Sequence, residues 1–159
     1  MYQKNDLIVY KKDVCKIIDT KEIDNYEYLF LVPVTDDSLK IKVPINNKDI
    51  RSLISKEEVN KIIKKMPSIE IIKNNNKLME NEYKNLLKDG SFESLIKIIK
   101  TTYLRNKERI DNNKKKQEKD DYYFNLAEKY LYTEFSFALG MNFDDTKKYV
   151  INKVQENLG

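Results

Sequence analysis

"SLKIKVPINN" (residues 38–47) alternates. Leu39, Ile41 and Val43 fall on one side of an extended strand, Lys40 and Lys42 on the other, and Pro44 stops the run. "ISKEEVNKIIKKM" (54–66) has a different period. Ser55 can cap a helix, Glu58 can reach back as its third residue, Ile54 can staple onto Val59, and Pro67 ends it. The period thus changes from two residues to about 3.6 between these stretches. It divides the chain into a strand-bearing part, 1–53, and a helical part, 54–159.

Before the dividing point lie four short β-branched and aromatic runs: "LIVY" (7–10), "VCKII" (14–18), "EYLFLVPV" (27–34) and "LKIKVPI" (39–45). The turn-like groups "KKD", "TKEIDN" and "TDDS" separate them. This spacing predicts a small antiparallel β-barrel. The middle of "YEYLFLVPV" is apolar on both faces, which suits a central strand covered by another layer.

Beyond it, "PSIEIIKNNNK" (67–77) has no clear period. "KLMENEYKNLLKD" (77–89) reads as a helix with Met79, Tyr83, Leu86 and Leu87 on one side, closed by Gly90. Ser91 caps the next, 92–109, whose expected buried stripe is Phe92, Leu95, Ile96, Ile99 and Tyr103. A charged linker (110–121) precedes a helix over about 119–139 that is apolar nearly all round, as the centre of a bundle would be. Asp144 would cap a last helix, 145–158, with Val150, Val154 and Leu158 facing inward. The predicted class is α+β: a small N-terminal antiparallel β-barrel followed by an all-α bundle of about five helices.

Composition removes several functions. The 159 residues include one cysteine, Cys15, and no histidine. No disulfide can form within the chain, and Ser-His and Cys-His catalysis are excluded. The 3 glycines, at 90, 140 and 159, cannot build a phosphate-cradling loop. We expect no enzyme, metal or cofactor. No run nears the roughly 18 apolar residues of a membrane span, and the N-terminus does not read as a secretory signal, so a cytoplasmic location is expected. Residues 1–53 balance 9 basic against 9 acidic side chains, so the helical part carries the whole net charge of +4. An acidic polymer would meet that part first, although a solvated lysine-rich surface reads the same way.

Four stretches, in order, carry a resemblance: "LKIKVPINN" (39–47), "DIRSLISKEEVNKI" (49–62), "YLRNKER" (103–109) and "AEKYLYTEFSFALG" (127–140). Together they resemble the CarD family of bacterial transcription regulators, which includes the CdnL proteins. The N-terminal module of that family also occurs in the transcription-repair coupling factor. The resemblance implies a Tudor-like N-terminal module that binds the β subunit of RNA polymerase. It also implies a helical domain that touches promoter DNA at the upstream edge of the melted region and alters open-complex stability without catalysis. Where the family carries a glycine-bearing segment near its start, this chain has "YKKDVCK" (10–16). The family's tryptophan is missing too; its place falls within "NNNK" (74–77), near Asn75 or Asn76. The competing reading is an adaptor that binds protein only and keeps the module without the DNA wedge.

By this resemblance Lys42 matches one polymerase-binding basic position and Lys21 a second; Lys40 and Pro44, on the same strand, complete the set. The structural alternatives are that Lys40 and Lys42 guard an exposed edge and that Pro44 only ends the strand. The candidate DNA contacts are Lys73, Asn75, Asn76, Lys77, Lys84, Arg105 and Lys107, with DNA expected only alongside polymerase. Arg105 and Arg109 could instead pair along or between helices. The run Lys114, Lys115 and Lys116 reads as a solvated loop, and the tyrosines at 122, 123, 130 and 132 as core packing. Cys15 is expected to be buried, and Asp120, Asp121, Asp144 and Asp145 to be helix caps. The chain is expected to be a monomer, with a dimer swapped through the β-module as the alternative.

Overall fold

The computed structural model describes residues 2–158. The chain forms two compact units, one ending at Ile54 and one beginning at Ser55. The class is α+β: a five-stranded antiparallel sheet followed by five α-helices.

The strands are β1 (Leu7–Tyr10), β2 (Asp13–Ile23), β3 (Tyr26–Pro33), β4 (Ile41–Pro44) and β5 (Ile50–Ser52), in spatial order β4-β3-β2-β1-β5. The expected barrel is not closed, because the two end strands, β4 and β5, do not pair. The chain between them turns back on itself: Asn47 N–H donates to the Pro44 carbonyl and Ile50 N–H to that of Asn47. This delivers the three-residue β5, too short to stand out in the sequence, to the far side of β1.

"TKEIDN" is not all turn. Asp24 and Asn25, both at positive φ, make the whole reversal, a conformation these side chains tolerate. Residues 18–23 therefore continue β2, with a register shift between Ile17 and Asp19. The centre of the sheet is β2, with β3 beside it. One face holds the core of Ile8, Cys15, Ile17, Leu29, Leu31 and Val43.

Burial, with the Asp13 carboxylate second, pushes the Cys15 thiol up to about 11. An unfolded thiol ionises first, so this group's contribution is full below 9.0 and is lost as pH rises towards 11. The urea midpoint of the wild type is expected to fall between pH 8.5 and pH 11 more steeply than that of Cys15→Ala. Parallel curves would refute the assignment.

The helices are α1 (Lys56–Lys65), α2 (Met79–Asp89), α3 (Phe92–Asp111), α4 (Glu118–Leu139) and α5 (Phe143–Leu158). Ser55 forms the expected capping box: its hydroxyl accepts from Glu58 N–H at 3.1 Å and Glu58 Oε1 accepts from Ser55 N–H at 3.5 Å. Gly90 and Gly140 close α2 and α4 at positive φ. Asn142, not Asp144, caps α5: its Oδ1 accepts from Asp145 N–H at 2.8 Å, so the helix starts two residues early. A charged linker spanning 110–121 is also corrected, since α3 runs on to Asp111 and α4 starts at Glu118.

Two buried stripes differ from expectation. On α3, Ile98 and Thr102 are buried, whereas Tyr103 is 54 % exposed. The two threonines at 101 and 102 turn inward because their hydroxyls return to carbonyls one turn back, on Lys97 and Ile98. On α5, Val150 is buried but Leu158 is 68 % exposed. Tyr123 and Tyr132 join the core, while Tyr122 stays outside. The Lys100 ammonium donates to the carbonyls of Met66, Pro67 and Ile69, just after α1, and Ile72 N–H donates to Thr101 Oγ1 at 2.9 Å. The chain leading to α2 is thereby tied to α3 up to residue 72.

Candidate functional site

In β3, Leu29 and Leu31 point into the core, so Tyr28, Phe30 and Val32 stand on the opposite face. The register brings Lys21 beside Tyr28 and Pro44 beyond it; one step along, Asp19 flanks Phe30 on one side and Lys42 on the other. Lys16 lies opposite Val32, and Ile23 opposite Tyr26 at the hairpin tip. Two lysines of the candidate set rest over aromatic rings: Lys42 Nζ is 4.6 Å from the Tyr28 ring centre, and Lys21 Nζ is 5.4 Å from that of Phe30. Lys21 also sits 3.8 Å from Asp19, an exposed and weak pairing. Lys21, Lys42 and Pro44 therefore share one open face. Lys40 lies just before β4, in the exposed loop that the Asp36–Ser38 turn begins.

The outer edge of that face is nearly sealed. Ile45 N–H donates to the Glu27 carbonyl at 3.0 Å, which fixes the phase of the ladder. Leu29–Val43 and Leu31–Ile41 exchange hydrogen bonds, and Lys42 and Pro44 turn their main-chain groups outward. Pro44 has no N–H, and its carbonyl is taken by Asn47. Within β4 the open side offers only the Lys42 N–H and carbonyl.

The helical candidates do not form one cluster. Lys73, Asn76 and Lys77 are exposed in the stretch between residue 72 and α2. Asn75 is a turn former there: its Oδ1 accepts from Leu78 N–H at 3.2 Å, and its own N–H donates to Asn74 Oδ1. Lys84 pairs with Glu80 at 3.2 Å on α2, and Lys119 of α4 meets the same carboxylate at 3.1 Å. Those two ammonium groups, Lys119 first, hold the Glu80 carboxyl below its usual range. Lys107 is exposed and makes no ion pair among the described residues.

Arg105 is engaged inside the bundle. Its Nε donates to Asp120 Oδ2 at 2.9 Å, and Tyr83 OH donates to Asp120 Oδ1 at 2.7 Å. Asp120 is only 2 % exposed, so it joins α2, α3 and α4 and is not a surface cap. Burial first, then Asp120, raises the Tyr83 phenol well above its usual range. Arg109 Nε donates to the Lys115 carbonyl at 2.8 Å and folds the loop back onto α3.

Sequence reasoning missed Tyr28 and Phe30 beneath the lysines, and the inward position of Asp120. No phase of the sequence signalled the first, because Lys21 reaches the face of Tyr28, Phe30 and Lys42 only through the register shift between Ile17 and Asp19. Among the described residues no three metal-ligating side chains gather, and no helix is long and apolar enough to cross a membrane. Neither the protein-family models nor the curated proteins compared with this chain match it.

Proposed function

We propose that this chain is a CarD-like transcription regulator. Its sheet unit acts as a Tudor-like module that docks on the β subunit of RNA polymerase through the β2–β3–β4 face. Its helical unit meets promoter DNA at the upstream edge of the bubble and changes open-complex stability. It binds and does not catalyse. The observation that supports docking is the layer of Lys21 and Lys42 over Phe30 and Tyr28, an apolar surface with a basic rim beside an uncovered strand. Such a surface suits a partner that brings acidic side chains: the rings supply area and the lysines steer approach.

Lys42→Glu is the test, in a binding assay between the full chain and the polymerase β subunit. The reversal is expected to weaken binding by at least about tenfold and to flatten its salt dependence. Lys97→Glu, on α3, should leave it unchanged. Absence of binding by folded wild type, or equal binding by both variants, would refute the docking face.

A second reading has its own support. Arg105 is tied to Asp120 and Asn75 to its turn, and no tryptophan exists to wedge the duplex. These favour an adaptor that contacts polymerase alone. The two readings separate on promoter DNA: a steep loss of complex lifetime with salt, beyond that of polymerase alone, marks phosphate contacts by this chain.

A further inference from the structure

A second site lies inside the helical unit, between the C-terminal half of α3 and the start of α4. A pocket of about 310 Å³ opens there, at the small end of ligand-binding cavities. Its apolar lining comes from Tyr103, Ile110 and Phe124, and its polar lining includes Asn106 and Asp121. Lys107 and Lys116 complete it with positive charge.

Asn106 is the deciding residue. It is 6 % exposed, and its Oδ1 accepts from Gln117 N–H at 3.1 Å, which fixes which end of the amide is oxygen. Nδ2 has no hydrogen-bond partner among the described residues. No sealed side-chain nitrogen or oxygen among those residues lacks one, so Nδ2 keeps accessible surface, and Asn106 lines the pocket. Among the described residues the Asp121 side chain likewise has no hydrogen-bond or ion-pair partner, although it lines the same space. The pocket thus offers a donor that cannot accept and a carboxylate that accepts twice, with aromatic surface and two ammonium groups.

We propose that this pocket binds a guanine nucleotide unit, base inward and phosphate towards Lys107 and Lys116. Guanine is the nucleobase with two adjacent donors, N1–H and N2–H, for one carboxylate, next to an acceptor, O6, for an amide. Adenine, cytosine and uracil each leave one carboxylate oxygen unused. Aromatic side chains accept the flat face of a base, and Tyr103 and Phe124 supply them. The unit is either a free nucleotide or an unstacked guanine of a single strand. The inference is independent of the docking face, and its test contains no polymerase.

The experiment is calorimetric titration of the full chain with GMP, IMP, AMP and XMP. Two single-stranded oligonucleotides are added, one of thymidines alone and one with a central guanine. GMP is expected to bind saturably and at least about tenfold more tightly than AMP, with IMP between them. Asp121→Asn, whose side chain supports no other contact, should weaken GMP by about tenfold and reverse its preference over XMP, since xanthine carries an acceptor where guanine carries N2–H. Lys116→Glu should weaken GMP but not guanosine. Tighter binding of the guanine oligonucleotide than of GMP and of the thymidine control identifies the nucleic-acid source. GMP binding that the oligonucleotide does not displace identifies the free nucleotide. No saturable binding of either by folded wild type, equal binding of the two oligonucleotides without GMP binding, or GMP binding unmoved by Asp121→Asn, overturns the proposal.

Discussion

Asp120→Ala is expected to lower the stability of the helical unit by about 3–5 kcal/mol, the range for removing one partner of a buried charged pair. The change leaves two groups stranded at once. The Arg105 guanidinium, 25 % exposed, loses its carboxylate, and the Tyr83 hydroxyl loses its acceptor within the bundle. Asp120→Asn keeps an oxygen for Tyr83 and should cost less. Arg105→Ala combined with Asp120→Ala should cost less than the two single losses added, because each removes the same ion pair. Helical circular dichroism followed through urea reads all four. A loss under about 1 kcal/mol for Asp120→Ala would show that Arg105 is not held by this pair and stands free for other contacts.

Phe135→Ala is the second large effect, about 3–5 kcal/mol in the same assay. Phe135 is fully buried on α4, with the Phe92 ring 5.7 Å and the Tyr132 ring 6.4 Å from its centre. Truncation removes the transfer energy of a phenyl group and leaves a hole between α3 and α4 that rigid neighbours fill poorly. Phe135→Leu should recover more than half of the loss. A truncation that costs no more than this conservative change would mean that α4 is not the centre of the bundle.

The sequence made the change of period at residue 54 legible, because Ser55, Glu58 and Pro67 are local signals that act within one turn. Gly90, Ser91 and Gly140 were legible for the same reason. Closure of the sheet was not, since it depends on whether β4 and β5 meet, and β5 is three residues long. The inward turn of Asp120 was hidden too. An acid in the first turn of a helix reads as a cap until Arg105 and Tyr83, each more than ten residues away, are brought against it. At the candidate face the lysines were visible and the rings beneath them were not. "YEYLFLVPV" is apolar enough to pass for a strand buried on both sides, and only pairing with β2 and β4 shows which face keeps Tyr28 and Phe30.

The edge of β4 has a consequence for crowding. It exposes one N–H and one carbonyl, both on Lys42. Two copies brought edge to edge would share a single rung and set lysines about one strand spacing, roughly 4.8 Å, apart. Fibre growth from this edge is therefore starved of bonds at any concentration of the chain. A different molecule gains as little from the backbone, so whatever settles there must be chosen by its side chains.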